Sequence, residues 1–196
     1  MTTRKEQKEK RRQDILKAGL SIFIHKGYEA TKINDIVEKT GMSVGLLYHY
    51  FGSIELLYQE LINIALSGRT GQYFPQYDEP LDYFLKAVKH IFDMAKADHY
   101  TAELFVLINQ AQQNSNLPKN IRDKLNQNNV IEKSIRLIKE GQLQGIIRKG
   151  NAMALALSFW LSIQAYMEMI ALNPDTPYPE AHWFLDILKA NNDQQN

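Results

Sequence analysis

TGMSVGLLYHYFGS, residues 40–53, places two leucines, two tyrosines and a phenylalanine around one histidine, directly after a glycine. A helix advances by about 100° per residue, so a helix that turns Leu47 inward also turns Phe51 inward, within about 40°. Gly45 and His49 then lie on the opposite face. We therefore predict that Leu47 and Phe51 belong to a core, and that the opposite face is presented to a partner.

Gly45 is the residue of this segment that a purely structural helix would rarely accept. Glycine destabilises a helix interior by about 1 kcal/mol relative to alanine. On an outward face, however, it removes a side chain at a point where the backbone of DNA can approach closely. Tyr48 and Leu46 flank the same face, so the segment has the features of a helix that reads DNA.

Two further helices are predicted upstream of this segment. Apolar spacing predicts the first over residues 14–26 and the second over 32–39, with Thr31 as the N-terminal cap of the second. Gly41 and Ser43 then form the turn into the third helix. Two helices joined by a short glycine-containing turn form a helix-turn-helix, whose second helix enters the major groove of DNA.

The rest of the chain is also predicted to be helical, because no segment alternates in the way that a strand does. After a fourth helix that starts at Gly52-Ser53, helices are predicted over residues 79–97, 101–114, 119–142, 151–172 and 178–190. We therefore expect an all-α protein, with an N-terminal three-helix helix-turn-helix DNA-binding domain over residues 1–52. A larger C-terminal helical ligand-binding and dimerisation bundle is expected over residues 53–196.

Charge is distributed unevenly along the chain. Residues 1–57 carry ten basic and seven acidic side chains, whereas the remainder carries thirteen and fifteen, so a basic end is joined to a slightly acidic body. This pattern fits contact with phosphates, although a solvated terminus has the same composition. The 196 residues include no cysteine, which excludes disulfides and thiolate metal sites and favours a cytoplasmic location.

The segment ATKINDIVEKTGMSVGLLYHYFGSIELL, residues 30–57, resembles the DNA-binding signature of the TetR family of bacterial transcriptional regulators. Residues 15–31, ILKAGLSIFIHKGYEAT, are similar to the first helix of that family. The resemblance implies a homodimer that binds a palindromic double-stranded DNA operator, most often as a repressor. The family's DNA contacts, carried over by position, fall on Thr31, Ser43, Val44, Gly45, Leu46, Tyr48, His49, Tyr50 and Ser53.

Two departures from the family pattern affect DNA recognition. Ile54 occupies a position where the family usually has a lysine that supports a phosphate contact, so Ser53 and the following helix N-terminus must hold that phosphate. The third helix also has no arginine or lysine, and the commonest contact to guanine is therefore missing. We expect an operator rich in A·T pairs, with Val44 and Leu46 against thymine methyl groups.

The resemblance also implies that the last two helices pair with a second subunit. The predicted helix over residues 151–172 has two apolar stripes, as a helix between a core and a partner requires. The predicted interface residues are Ala152, Ala156, Trp160, Ile163, Met167 and Trp183. A central core helix has the same pattern, and the length of this segment approaches that of a membrane span. The polar residues of this segment favour a subunit interface over a membrane span, and we expect no contact with a membrane.

A small-molecule effector, apolar or aromatic in character, is expected in the larger bundle. The candidates are residues at which apolar lining meets isolated polar groups, namely Phe84, Val88, Phe92, Phe105, Ile108, Asn109, Gln112 and Phe159. Each also fits a place in an ordinary core or on an ordinary surface.

Three other functions compete with the interpretation as a ligand-responsive regulator. The first is a helical protein-binding module, and the second is a DNA-binding regulator without a small-molecule ligand. The third is an enzyme, and we expect none, because the chain has no H-E-x-x-H, G-x-S-x-G, P-loop or dinucleotide-binding motif. No cofactor and no metal site are predicted.

Overall fold

The computed structural model describes residues 3–70, 78–127 and 129–190, and the side chains of residues 68–70 are not described. This part of the chain is helical and contains no strand, only one isolated bridge between Ile147 and Lys189. The all-α expectation is therefore confirmed. The helices are α1 (Arg4–Lys26), α2 (Ile33–Thr40), α3 (Val44–Phe51), α4 (Ile54–Thr70), α5 (Pro80–Ala97), α6 (Tyr100–Gln113), α7 (Lys119–Gln127), α8 (Val130–Leu143), α9 (Ala152–Leu172) and α10 (Ala181–Leu185).

The buried side chains form two hydrophobic clusters, and α6 belongs to both. Leu104, Leu107 and Ile108 of α6 pack with α1–α4 and α7, which form the first cluster. Ala102 and Phe105 of α6 pack with α5, α8, α9 and α10, which form the second. The predicted boundary after residue 52 lies in the turn between α3 and α4, but the first cluster continues across it. The core that supports α3 therefore includes α4, α6 and α7.

The first helix begins ten residues earlier than predicted. A capping box starts α1, because Thr3 Oγ1 accepts the N–H of Glu6 at 3.2 Å and the Glu6 carboxylate accepts the N–H of Thr3 at 2.7 Å. The residues that follow are polar and exposed, so their helical character leaves no apolar pattern in the sequence. As a consequence, the basic residues between Arg4 and Lys17 lie on a helix rather than on a frayed terminus.

Two predictions about the C-terminal helices were wrong. Residues 119–142 form two helices rather than one, because the side chain of Asn129 accepts the N–H of Ile131 at 3.0 Å and caps a new helix, α8. The predicted final helix is reduced to the five residues of α10. Beyond α10 the chain forms a turn over residues 186–188, and the N–H of Arg148 donates to the carbonyl of Leu188 at 2.8 Å.

Helix α9 has one covered and one uncovered apolar face. By length and composition it is the one helix in the described residues that is apolar enough to cross a membrane, but α6 and α8 cover one side of it. The covered side includes Ala152, Ala156, Trp160, Ile163 and Met167, each at most 8% exposed. In the single subunit these five residues, which the sequence predicts at the dimer interface, face the core instead of a free surface.

The uncovered side of α9, called the α9 outer face here, consists of other residues. Its large apolar side chains are exposed over 37–79% of their surface, and they are Met153, Leu157, Leu161, Met169 and Leu172. The small residue Ala165 is exposed on the same face, one turn after Leu161. Trp183 of α10, the remaining predicted interface residue, is also exposed, at 57%.

Candidate nucleic-acid interface and cavity

Helix α3 is anchored by one face and open on the other. Leu47 is fully buried and Phe51 is 8% exposed, and both belong to the first hydrophobic cluster. Val44 is 40% exposed and Tyr48 is 48% exposed. Such exposure is unusual for side chains of this size on a helix that packs into the core of a monomeric protein. An added Cβ at Gly45 would meet no atom within 4 Å. The outward face that the sequence predicts is therefore free of the rest of the subunit.

The turn before α3 has a fixed geometry. Gly41 adopts a left-handed conformation with φ of 65°, which residues other than glycine adopt only with strain. Its N–H donates to the carbonyl of Val37. Ser43 caps α3, because its Oγ accepts the N–H of Leu46 at 3.3 Å. An accepting hydroxyl keeps its own proton, so Ser43 can still donate to a ligand such as a phosphate.

Helix α2 is held against α1 by a charged contact. The Asp35 carboxylate accepts the backbone N–H of Lys32 and forms an ion pair with Lys26, both at 2.7 Å. The hydrogen bond from Lys26, followed by that from the Lys32 backbone, lowers the pKa of Asp35 below its ordinary value. Asp35 therefore starts α2 and also joins it to the C-terminal end of α1.

Thr31 does not have the role that the sequence predicts. It is 6% exposed, and its Oγ1 donates to the carbonyl of Gly27 at 2.6 Å. The cap of α2 is instead formed at Lys32 by Asp35. The prediction that Thr31 caps α2 was therefore wrong. Its hydroxyl proton is donated to the protein's own backbone, so a contact of Thr31 with DNA stays a prediction.

The other candidate DNA-binding residues lie at or near the open side of α3. His49 is exposed, and its ring meets the edge of Tyr50 at a centroid distance of 5.8 Å. Tyr50 and Leu46 are half-buried, so only part of each side chain is available to a partner. At the start of α4, Ser53 Oγ accepts the N–H of Leu56 at 3.0 Å and keeps its proton free to donate.

Basic residues lie close to the end of α3. The Arg12 guanidinium forms an ion pair with Glu60 at 2.5 Å and lies over the ring of Phe51, 5.4 Å from its centroid. Helix α1 continues from Arg12 toward its N-terminus for eight residues, or about 12 Å at the usual rise of an α-helix. Its exposed cations there are Arg4, Lys5, Lys8, Lys10 and Arg11. Helix α3 itself carries no carboxylate, so nothing in it repels a phosphate backbone.

Most of the predicted ligand-binding residues are packed core. Phe84, Val88, Phe92, Phe105 and Phe159 are each at most 4% exposed and belong to the second hydrophobic cluster. The rings of Phe84 and Phe159 are in edge contact at 5.0 Å. In this structure these five side chains pack against the core, and Phe92 also lines a second cavity near the start of α10. Their part in ligand binding stays a prediction.

The other predicted ligand-binding residues lie at or beside a cavity of about 450 Å³ between α6, α7, α8 and α9. Ile108 and Gln112 line it. Asn109 does not, and its amide donates to the Glu168 carboxylate at 2.5 Å. The sequence did not single out most of the lining, because it consists of ordinary amides and leucines contributed by separate helices.

Comparisons with known proteins agree with this arrangement. Residues 15–61 match the family described as "Bacterial regulatory proteins, tetR family". YfiR of Bacillus subtilis (strain 168), an HTH-type transcriptional regulator, is 35% identical over 100 residues, which cover 51% of this chain and 43% of YfiR. The HTH-type transcriptional repressor KstR2 of Mycolicibacterium smegmatis is 25% identical over 166 residues, which cover 80% of this chain and 79% of KstR2.

The fold is also found in solved structures. The structure of AibR in complex with isovaleryl coenzyme A and operator DNA has a TM-score of 0.65 and 16% sequence identity. The similarity covers 90% of this chain and 94% of AibR. At this level of identity the comparison establishes the fold.

Proposed function

We propose that this chain, which belongs to the TetR family of bacterial transcriptional regulators, is a homodimeric repressor that binds a palindromic operator and leaves it when a small molecule fills its helical bundle. The observation that carries the proposal is the open face of α3. A helix fixed by Leu47 and Phe51 keeps Val44, Tyr48 and His49 uncovered, with space above Gly45 for a close approach.

The residues around α3 divide into two kinds of contact. Ser43 and Ser53, with the N-terminal N–H groups of α3 and α4, are suited to phosphates, because helix N-termini attract anions. Tyr48, His49 and Val44 lie on the open face and are suited to base edges. Because α3 has no arginine or lysine for guanine, we infer that the operator is rich in A·T pairs at the positions that α3 contacts.

The second subunit is proposed to pack on the α9 outer face. An exposed row of large apolar side chains along a whole helix is expected to be covered in the native assembly. Ala165 and Ser158 lie on the same face, and small residues let two helices approach closely. A twofold pairing of α9 with its copy would place two α3 helices on one DNA duplex, as a palindromic operator requires.

Release by a small molecule is proposed on the basis of the cavity and of the similar proteins. The cavity of about 450 Å³ has the size of a ligand site, and AibR has been crystallised with both isovaleryl coenzyme A and operator DNA. Repression is proposed by analogy with KstR2, which is a transcriptional repressor. A ligand that binds one dimer geometry better than another shifts the population toward the geometry that it favours.

Enrichment of duplexes from a random DNA pool at physiological salt tests the DNA-binding part of the proposal. We expect the native protein to recover one palindrome that is rich in A·T, and a Tyr48→Ala, His49→Ala variant to recover none. Salt-sensitive binding to all sequences, without enrichment, would mean that only phosphates are contacted, and a protein partner for α3 would then be the better interpretation. An operator whose essential positions are mostly G·C would contradict the inference from the missing arginine.

Replacing Gly45 by alanine is expected to stabilise the protein and to weaken its binding to the operator. The new methyl group meets no atom within 4 Å, so the free energy of unfolding should rise by up to about 1 kcal/mol from helix propensity. The same methyl group separates α3 from the DNA backbone, and we expect about tenfold weaker operator binding. Thermal unfolding and fluorescence anisotropy with labelled operator measure the two effects.

Gly41→Ala is the control for this substitution. It also adds a methyl group in open space, but at a φ of 65°, so it should lower the stability instead of raising it. Unchanged or tighter operator binding by Gly45→Ala would show that DNA does not approach the backbone at Gly45.

A further inference from the structure

The cavity between α6, α7, α8 and α9 is lined by both apolar and polar side chains. Its apolar part is formed by Leu66, Ile108, Ala111, Leu125, Val130, Ile131, Leu157, Trp160 and Leu161. Its polar part consists of six amide side chains, one hydroxyl and one guanidinium, from Gln112, Gln113, Asn114, Ser115, Arg122, Asn126, Asn129 and Gln164. A lining of this kind matches a molecule with one apolar end and one strongly polar end.

Arg122 gives the cavity its charge. Arg122 is exposed and carries the one formal charge among the described lining residues, none of which is a carboxylate. None of the ion pairs found in the described residues involves Arg122. A guanidinium presents five donors in a planar fork that fits a carboxylate or a phosphate, and the neighbouring amides supply further donors to the same anion.

The indole of Trp160, which is part of the apolar lining, is held in place by hydrogen bonds. The indole Nε1–H of Trp160 donates to Ser134 Oγ at 2.7 Å, and Ser134 Oγ donates to the carbonyl of Val130 at 2.8 Å. Trp160 is 6% exposed and Ser134 is fully buried. The indole that lines the cavity therefore has a fixed orientation, so this part of the lining is formed before any ligand arrives.

One side of the cavity lies at the proposed subunit interface. Leu157 and Leu161 line the cavity and also belong to the α9 outer face, where they are 37% and 53% exposed. A second α9 packed against this face would cover both side chains. The partner subunit would thus cover the α9 side of the cavity.

We propose that this cavity binds a small amphipathic anion whose acidic group is held by Arg122, and that the partner subunit closes its α9 side. The proposal rests on the homodimeric function proposed above, and it adds an acidic group to the apolar or aromatic effector that the sequence predicts. Leu66 of α4 is part of the lining, and α4 follows α3 directly. A ligand in the cavity therefore touches the helix that positions α3 and the face that sets the spacing of the dimer.

Two fluorescent probes that differ in one acidic group test the site. We expect anilinonaphthalene sulfonate, an amphipathic anion, to bind the native protein once per subunit, and Arg122→Gln to weaken this binding about tenfold or more through the lost charge-assisted contact. The uncharged N-phenylnaphthylamine should bind native protein and variant equally. Arg136→Gln, which removes an exposed arginine of α8 that does not line the cavity, should leave both affinities unchanged.

Two outcomes would overturn the anion site. The first is sulfonate binding that does not depend on Arg122. The second is an equal loss of affinity for both probes, because it would indicate a change of structure. Arg122→Lys, which keeps the charge but loses the planar fork, should retain part of the affinity for the sulfonate. The DNA enrichment experiment does not depend on this site, so failure of the site and failure of the proposed function can be told apart.

Closure by the partner is tested with Ala165→Glu, which lies on the α9 outer face but does not line the cavity. If the partner closes the site, the effect of Arg122→Gln on sulfonate affinity should disappear once Ala165→Glu makes the protein monomeric. An effect of about tenfold that persists in the monomer would overturn the closure. An Ala165→Glu protein that stays dimeric would overturn it as well, because the partner would then not lie on this face.

Discussion

Replacing Ala165 by glutamate is expected to convert the protein into monomers and to weaken operator binding by about a thousandfold. Ala165 is exposed in the subunit and lies between Leu161 and Met169 on the α9 outer face. In a dimer built on this face, the new carboxylate would be buried against a copy of itself, with no cation on α9 to pair with it. In the monomer the same carboxylate is solvated and costs little.

The loss of DNA affinity follows from the loss of the second half-site. Two linked recognition helices bind with an effective concentration that raises the overall affinity by about 10² to 10⁴ over one helix alone. Light scattering over a range of protein concentrations measures the dimer, and anisotropy with the operator measures the affinity. A monomer should bind a single half-site as well as it binds the whole palindrome.

Ala97→Glu is the matched control, because it introduces the same side chain at an exposed position at the end of α5. It should leave both the dimer and the operator affinity unchanged. A dimeric Ala165→Glu protein would contradict the proposed interface. The exposed Trp183 of α10, which the sequence also assigned to the interface, would then become the next residue to test.

The sequence predicted the DNA-binding half of the fold well because its apolar and glycine positions each have one structural meaning. Leu47 and Phe51 can share a helix face only if Gly45 and His49 lie opposite, and the structure has this arrangement. The early part of α1 was missed because apolar spacing was the main signal and residues 4–14 have none. The capping pair Thr3 and Glu6 was the available signal.

The C-terminal half was predicted less well because its patterns have more than one meaning. Helix α9 carries two apolar stripes, and spacing alone does not tell which of them α6 and α8 will cover. Pro177 and Pro179, shortly before α10, and Asn129, which caps α8, are signals that the sequence contains. Their effect depends on tertiary contacts, such as the pairing of Arg148 with Leu188, which no local pattern contains.

The cavity shows the same limit in another form. Its lining comes from five helices and the segments between them, and none of the residues involved is unusual in its own segment. The aromatic residues that seemed suited to a ligand, such as Phe84 and Phe159, pack against each other instead. A site built from convergent amides and one arginine becomes visible only when the packing is known.

Replacing Tyr48 and His49 together by alanine is expected to reduce operator affinity by about a thousandfold or more, to the level of non-specific binding. Both side chains are exposed on α3 and lie outside the first hydrophobic cluster, so the free energy of unfolding should change little. The substitutions remove contacts to bases but leave the cations of α1, Ser43 and Ser53 in place. Non-specific binding and its dependence on salt should therefore persist.

Persistent non-specific binding would distinguish a loss of base recognition from a loss of the fold or of the charged contacts to DNA. Salt titrations with the operator and with an unrelated duplex should give the same affinity for both DNAs with the variant, and different affinities with the native protein. His182→Ala, which removes an exposed histidine of α10, should behave as the native protein does. If the Tyr48→Ala, His49→Ala protein still preferred its operator, sequence would have to be read by Val44, Leu46 and the shape of the DNA, and the open face of α3 would serve mainly to approach the backbone.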